Sequence, residues 1–255
     1  MRSSHPQFAA AIALLLLSAL ANAGEDSLND TVLRAIGTIP RGGGYATDSA
    51  TTALLGRATE ATGGRLLLHP AVARPSYCSG ATYVVFLRAI DELMAAGALR
   101  LDPAIVNALL VRGQPDGEGV WGRWNANGPG TARLFHEAQL GRNFSDFAAA
   151  RPGDFMKIFW NSEVGRLERG HSVVFLGTER VDGKERVRFW SSNKPLGYGE
   201  KSVARSQIVR AIFSRFEHPG NLSRLGDIPR RDPYLASLLG ARSSFAEARK
   251  KCGIE

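Results

Sequence analysis

The sequence predicts an α+β protein in which a buried helix packs on one face of an antiparallel sheet. Helical patterns dominate the chain up to residue 140, and strand patterns begin at residue 155. The strand region contains Asp182-Gly183, a dipeptide typical of a two-residue hairpin turn. Helices followed by a strand meander are typical of this class. The length after residue 23, about 230 residues, suits a single domain with one full core.

The first 23 residues predict a secretory signal peptide. Arg2 precedes an apolar run over residues 8–20, and residues 21–23 supply a small-x-small cleavage site. We therefore expect residues 24–255 to form one exported domain, periplasmic or extracellular, with helical extensions at both ends. No later stretch is long and apolar enough for a bilayer, so no integral membrane segment is expected after signal removal.

The segments before the central helix predict short elements. Residues 26–36 have a helical pattern, and residues 41–45 form a glycine-rich turn. A helix over residues 50–62 is expected to start at a cap supplied by Asp48 or Ser49 and to stop at two glycines. A short extended piece follows at residues 66–68.

A helix from Cys78 to about residue 96 is predicted to be the centre of the fold, because it is apolar on most sides. Pro75 disfavours helix before it, and Ser76 can cap it. A thiol in the first turn is stabilised as thiolate by the helix dipole. From this stretch alone Cys78 could equally be structural. It could also form a disulfide with Cys252, although chains fray near their ends.

A long glycine-rich loop is predicted over residues 112–130, between helices at 102–111 and 131–140. It carries Trp121, Trp124, Asn125 and Asn127. Long loops inside compact domains are usually functional or mobile. These side chains could line a substrate groove together with Tyr77. Equally, the tryptophans could simply anchor the loop by packing.

Strands are predicted at residues 155–160, 171–176 and 187–190, the last two joined by the Asp182-Gly183 turn. Residues 206–216 fit a short helical turn that runs into a strand. Two helices are expected to close the chain. The first lies over residues 232–240, and the second begins at Ser244 with Glu247 completing a capping box.

A nucleophilic cysteine needs a base, and His171 is the best placed of the four histidines after residue 23. It follows Gly170 at the start of an apolar strand, which would hold the ring rigidly. His69 and His218 precede prolines and are expected in loops, and His136 is expected on a helix surface. A lone strand histidine can also be purely structural.

Three stretches together resemble the NlpC-type, papain-like cysteine peptidases and the related CHAP amidases. They are Tyr77-Cys78-Ser79-Gly80 opening a helix, Pro152-Gly153-Asp154-Phe155 opening a strand, and the strand from Gly170-His171 to Gly177. The resemblance covers about residues 75–195, with Tyr77 where that family has Asp. It implies a papain-like fold with the nucleophile helix packed on the antiparallel sheet.

The resemblance implies that Cys78 is the nucleophile, that its backbone N–H forms part of the oxyanion hole, and that His171 is the base. A third residue on the next strand would orient the histidine, and Ser191, Ser192 and Asn193 are candidates. We favour Asn193, because its amide oxygen has a longer reach than a serine hydroxyl and does not rotate as freely. Equally, Asn193 could only shape the turn before Pro195. Asp154 is expected to shape a turn.

The chain has a formal net charge of +8, which suits an anionic partner such as a cell-wall polymer. Its basic residues are scattered without interleaved aromatics, so no nucleic-acid partner is expected, and neither is a metal or cofactor. The sequence thus predicts a secreted cysteine hydrolase that cleaves amide bonds, in peptidoglycan stem peptides or another peptide substrate. The alternatives are a thiol acyltransferase or lipid-directed enzyme of the same fold, and a non-catalytic wall-binding protein.

Overall fold

A seven-stranded antiparallel sheet forms the centre of the protein. Its strands lie in the order Gly42–Gly43, Gly197–Ala204, Lys184–Asn193, Gly170–Val181, Phe155–Phe159, Arg210–Phe216 and Gly141–Phe144. This computed structural model describes residues 28–255, so the predicted signal peptide lies outside the described residues. The α+β class predicted from the sequence is confirmed.

The strands are β1 (Gly42–Gly43), β2 (Thr59–Thr62), β3 (Arg65–Leu68), β4 (Gly141–Phe144), β5 (Phe155–Phe159), β6 (Val164–Gly165), β7 (Gly170–Val181), β8 (Lys184–Asn193), β9 (Gly197–Ala204), β10 (Arg210–Phe216) and β11 (Arg242–Ser243). The helices are α1 (28–37), α2 (Ser49–Arg57), α3 (Cys78–Ala95), α4 (Pro103–Ala108), α5 (Gly119–Asn125), α6 (Gly130–Glu137), α7 (Pro233–Ser237) and α8 (Phe245–Lys251).

Helix α3 packs on the face of the sheet formed by β7 and β8. It is buried on nearly every side, as the sequence predicts, and residues 79–87 have almost no exposed surface. Phe86 makes an edge-on contact with Phe155 of the sheet, with ring centroids 6.0 Å apart. Val174 and Trp190 belong to the same core. The predicted packing of this helix on an antiparallel sheet is confirmed.

The strand register follows the side-chain alternation that the sequence shows. In β7, Val174 faces α3, whereas its neighbours Val173 and Phe175 belong to a separate cluster on the other face. At the β7–β8 turn, Asp182 and Gly183 have φ values of 51° and 73°. Positive φ at both central residues is the type I′ geometry that this dipeptide favours.

Two predicted elements are wrong. The helix expected over residues 50–62 ends at Arg57, because Thr59–Thr62 instead pairs with β3 as a hairpin through Gly63-Gly64. The loop expected over residues 112–130 contains helix α5, in which Trp121 and Trp124 are buried. In both segments, burial of apolar side chains and backbone pairing override the local glycine and helix signals.

Other boundaries agree with the sequence patterns. Asp48 caps α2 by accepting the Thr51 N–H at 2.7 Å, and Ser244 caps α8 by accepting the Glu247 N–H at 3.0 Å. The residues before β10 form a short 3-10 turn, Arg205–Gln207, as predicted. Ser76, by contrast, is not the cap of α3. Tyr77 takes that position without a side-chain hydrogen bond to the helix.

Arg123 holds α5 in place from a fully buried position. Its Nε donates to Glu137 Oε2 at 2.7 Å, and its other nitrogens donate to backbone carbonyls. Those carbonyls belong to Gly117, Gly119, Pro229 and Arg230. One side chain therefore joins α5 and α6 to two loops.

We expect Arg123→Met to lower the free energy of unfolding by about 3–5 kcal/mol, because it leaves Glu137 and several carbonyls without their donor. Urea denaturation followed by circular dichroism measures this. Arg34→Met, which removes an exposed ion pair with Glu92, is the matched control and should cost under about 1 kcal/mol. Equal losses for both variants would contradict the role given to Arg123.

Candidate active site

Cys78 is the first residue of α3, where the helix meets the edge of the sheet. The side chain is half-buried and opens onto a cleft of about 380 Å³. Two buried hydrogen bonds position the segment before it. Ser192 Oγ donates to the Ser76 carbonyl at 2.8 Å, and Tyr198 Oη donates to the Ala73 carbonyl at 2.8 Å. The loop that delivers the thiol is thus fixed to β8 and β9.

His171 and Asn193 face each other across β7 and β8. His171 is the second residue of β7, Asn193 is the last residue of β8, and His171 Nε2 lies 3.2 Å from Asn193 Oδ1. His171 therefore lies on a strand, as predicted, and Asn193 makes the contact with its ring that the sequence analysis expected. Their catalytic roles stay predictions.

The hydrogen bonds of Asn193 determine which nitrogen of His171 carries a proton. Asn193 Nδ2 donates to the carbonyls of Ser191, at 3.2 Å, and Gly199, at 2.8 Å. The amide oxygen must therefore accept, so His171 Nε2 donates to it. That leaves Nδ1 for the hydrogen bond with Cys78. This is the tautomer that a base facing the thiol requires.

His171 also controls the ionisation of Cys78. Burial has the largest single effect and raises the pKa of the thiol, whereas the hydrogen bond and charge of His171 lower it. The Ser172 backbone and the Lys157 ammonium lower it further, and the pKa falls from 9.0 to about 6. A large fraction of Cys78 is thus thiolate at neutral pH, and the thiolate is the nucleophilic form.

Tyr45 is a site residue that the sequence analysis missed. Its hydroxyl hydrogen bonds with the Cys78 side chain and with the Cys78 backbone. Burial, and then the charge and hydrogen bond of Cys78, raise the pKa of Tyr45, so the phenol keeps its proton. The sequence gives no local signal for this contact, because it depends on the pairing of β1 with β9.

Among the residues predicted to contact substrate, Tyr77 and Asn125 line the cleft beside Cys78. Asn125 Oδ1 accepts a hydrogen bond from Ser79 Oγ at 2.6 Å, which fixes the orientation of its amide. Within residues 28–255, its Nδ2 has no hydrogen-bond partner. Asn127 also lines the cleft.

Trp121 and Trp124 do not line the cleft, so the prediction that they contact substrate is wrong. Each is 1% exposed. Both pack on Tyr83 of α3, with ring centroids 5.1 and 5.3 Å from it. Trp124 Nε1 donates to Thr82 Oγ1 at 3.1 Å. The tryptophans thus anchor α5 to α3, which is the packing alternative.

The other serines considered for the orienting role have backbone partners, and the other histidines considered for the base lie outside the cleft. Ser191 Oγ donates to the Ser172 carbonyl at 2.7 Å, and Ser192 Oγ donates to the Ser76 carbonyl. Both hydroxyls therefore have backbone partners. His69, His136 and His218 are exposed and do not line the cleft.

Asp154 does not lie in the cleft. It is fully buried, and its two carboxylate oxygens accept hydrogen bonds from Arg215 at 2.8 Å each. It also accepts the Arg151 N–H at 2.7 Å, which closes the turn before β5. This position agrees with the turn-shaping role expected from the sequence.

Three charged residues of the cleft wall escaped the sequence analysis. Lys157 Nζ lies 2.6 Å from Glu168 Oε1, and Glu168 Oε2 accepts the N–H groups of Gly128 and Gly165. Burial and the charge of Glu168 raise the pKa of Asp116. The hydrogen bond from the Asn127 N–H and the charge of Lys157 lower it by less, so the net shift is upward. The three charged residues come from separate segments, and no motif links them in sequence.

Cys252 is a second free thiol rather than the disulfide partner of Cys78. It is 1% exposed and packs with Ala132 and Val164. Burial raises its pKa to about 12, so it stays protonated. The structure thus excludes the Cys78–Cys252 disulfide considered for the sequence.

Residues 28–255 hold no cluster of His, Cys, Asp and Glu side chains that could bind a metal ion. Over the same range, no helix has both the length and the hydropathy to cross a bilayer. Comparison with protein-family models, curated proteins and solved structures found no match for this chain.

We expect the rate of Cys78 alkylation by iodoacetamide to rise with a midpoint near pH 6, because the pKa of the thiol is lowered to about 6. The lowered pKa means that thiolate is present above this pH and lost below it. His171→Ala removes the imidazole, the group that lowers the pKa most, while burial remains, so the midpoint should move upward past 7. Stopped-flow alkylation over pH 4–10 measures both proteins.

Cys252 supplies the control for that experiment. Native Cys78→Ser protein should take up no label, and the denatured wild type should take up two labels, because it has two free thiols. A midpoint that does not change in His171→Ala would contradict the proposed control of the thiol by the imidazole.

Proposed function

We propose that this protein is a secreted cysteine hydrolase that cleaves amide bonds through Cys78, His171 and Asn193. One observation carries the proposal. The imidazole of His171 lowers the pKa of the Cys78 thiol, which falls to about 6, and its Nε2 lies 3.2 Å from the amide oxygen of Asn193. Nucleophile, base and orienting group in this chain of contacts suit acyl transfer through a thioester.

In the first half-reaction, the Cys78 thiolate attacks the carbonyl carbon of the substrate amide. The carbonyl oxygen becomes an oxyanion, and protonated His171 donates its Nδ1 proton to the amide nitrogen. The carbon–nitrogen bond then breaks, the amine leaves, and a thioester to Cys78 remains. Asn193 keeps the ring turned toward the thiol throughout, because its oxygen accepts only at Nε2.

In the second half-reaction, neutral His171 takes a proton from a water molecule through Nδ1. The resulting hydroxide attacks the thioester carbon, and the carbon–sulfur bond breaks. The products are a carboxylic acid and the thiolate, with the imidazole again protonated. The net reaction adds one water molecule across the amide bond.

Donors around the start of α3 would stabilise the oxyanion. The Cys78 N–H lies at an uncapped helix N-terminus, and the Tyr45 phenol remains protonated beside it. Asn125 Nδ2, free of hydrogen bonds to the described residues, lines the same cleft. Preorganised donors of this kind are among the largest contributions to acyl-transfer catalysis.

The substrate class follows from the cleft and from the sequence. The cleft is an open groove with mostly polar lining, which suits an extended polar chain such as a peptidoglycan stem peptide. The positive net charge suits an anionic cell-wall polymer, and the signal peptide would deliver the protein to it. The resemblance to NlpC-type peptidases and CHAP amidases leads to the same proposal.

We expect wild-type protein to release new amino groups from purified peptidoglycan, and Cys78→Ala and His171→Ala to release none. Cys78→Ala removes the nucleophile, and His171→Ala removes the base. Mass spectrometry of the soluble products identifies the bond that is cut. His136→Ala, a change to an exposed histidine outside the cleft, is the matched control and should keep full activity.

The same digestion separates the proposal from its rivals. Binding to the wall without product release by any variant would indicate a non-catalytic binding protein. Product release that depends on an added acyl acceptor would indicate an acyltransferase.

We expect Asn193→Ala to lower kcat by on the order of 100-fold, less than Cys78→Ala, because a misplaced base still acts but in poor geometry. The pH midpoint of the reaction should shift in this variant while KM changes little. Steady-state kinetics over a pH series provide these readouts. If Asn193→Ala keeps full activity while Ser191→Ala or Ser192→Ala loses it, the orienting role belongs to a serine.

A further inference from the structure

A second cavity is lined by His171 but not by Cys78. Its volume is about 460 Å³, comparable to that of the cleft that holds the thiol. Tyr45 and Gly170 line both cavities, so the two cavities are adjacent. The second cavity is lined by Tyr45, Trp160, Arg169, Gly170, His171, Asn193, Lys194 and Lys201.

Three of these side chains are cationic, and the cavity has no anionic lining residue. Arg169, Lys194 and Lys201 are all exposed, and none forms an ion pair with any carboxylate of residues 28–255. Lys194 Nζ lies 5.2 Å above the ring of Tyr45, a cation–π contact that holds the ammonium near the cavity. Three cations converging on one cavity without a counter-charge favour an anionic ligand.

The cleft at the thiol differs in charge from this second cavity. Asp116 and Glu168 line the cleft, and its one lysine, Lys157, is already paired with Glu168. An anionic group placed there would meet a carboxylate, whereas one placed in the second cavity would meet only cations. The cavity at the thiol therefore carries carboxylates, and the cavity at His171 carries only cations.

Aromatic walls complete the second cavity. Trp160 is partly exposed, with its ring centroid 6.3 Å from that of His171. Tyr45 lines both this cavity and the cleft at the thiol. Such walls can hold the carbon skeleton of a residue while the cations bind its charged end.

We propose that this cavity binds the leaving-group part of the substrate and that this part carries a carboxylate close to the amide that is cut. The assignment of sides rests on the proposed function, in which His171 donates a proton to the departing amine. That amine must therefore lie on the histidine side. The substrate is accordingly an amide whose amine component is an acidic amino acid or has a free carboxyl terminus.

Two probes that differ in one charge test the proposal. N-bromoacetylglycine and N-bromoacetylglycinamide both alkylate a thiolate with loss of bromide. Each places an amide and its amine component beyond the sulfur. We expect the carboxylate probe to alkylate wild-type Cys78 about three- to tenfold faster, the range that a few exposed charge pairs supply. The preference should fall when salt is raised from 0.01 to about 1 M, because screening weakens exposed pairs.

The variant Arg169→Gln/Lys201→Gln should lose most of this preference, measured as the ratio of its rates with the two probes. The matched control is Arg180→Gln/Lys184→Gln, which removes the same charge from the far end of the β7–β8 hairpin. The control should keep the preference. An equal loss in both variants would show that net charge alone attracts the probe and would overturn the cavity proposal.

A second measurement tests the cavity without the thiol. N-acetylglycine and N-acetylglycinamide are titrated into Cys78→Ala protein, and binding is followed by the fluorescence of Trp160, the only tryptophan of the described residues that is not fully buried. Tighter binding of the carboxylate, lost in the Arg169→Gln/Lys201→Gln background, supports the cavity proposal even if wild-type Cys78 proves unreactive. Unreactive Cys78 would instead overturn the proposed function. Equal binding of the two probes would overturn the cavity proposal alone.

Discussion

The docking of α3 on β7 and β8 is the contact on which the candidate site depends. Cys78 lies at one end of this helix, whereas His171 and Asn193 belong to the strands beneath it. The thiol meets the imidazole only when the helix is seated on the sheet. Burial of nearly the whole helix surface supplies the driving force, and the hydrogen bond from Ser192 to the Ser76 carbonyl fixes the approach of the loop.

The electrostatics of the site result from a balance of burial and contacts. Burial alone would keep the Cys78 thiol protonated, as it does for Cys252, whose pKa rises to about 12. His171 reverses the direction for Cys78 because it supplies a hydrogen bond and a charge at the same position. Two thiols of one chain thus differ in ionisation through their neighbours. In the wall of the cleft, the ion pair with Lys157 balances the charge of Glu168.

The α+β class and the helix at Cys78 could be predicted because their signals are local. Hydrophobic periodicity and the Asp182-Gly183 turn each act within a few residues. The turn predicts that the end of β8 lies near His171. The pairing of Asn193 with His171 itself also depends on a register shift between Phe175 and Gly177, which no turn signal reveals. Tyr45 and Asp116 could not be found in this way, since each reaches the cleft through long-range packing. For Trp121 and Trp124 the sequence left packing and substrate contact equally open. It did not reveal α5, because a short helix in glycine-rich sequence is stabilised only by tertiary packing.

The edge strand β1 has a consequence for motion near the site. It has two residues, paired with Tyr198 and Gly197 of β9, and its φ values of 75° and 93° suit only glycine. So short an edge opens at much lower free energy than the central strands, and amide exchange would be fast there and slow in β7. Tyr45 lies two residues beyond this strand and lines both cavities. Fraying of β1 would therefore loosen the segment that carries Tyr45 on its β9 side, while the hydrogen bonds of Gly44 and Ala46 with Ser76 keep it attached to the loop before α3.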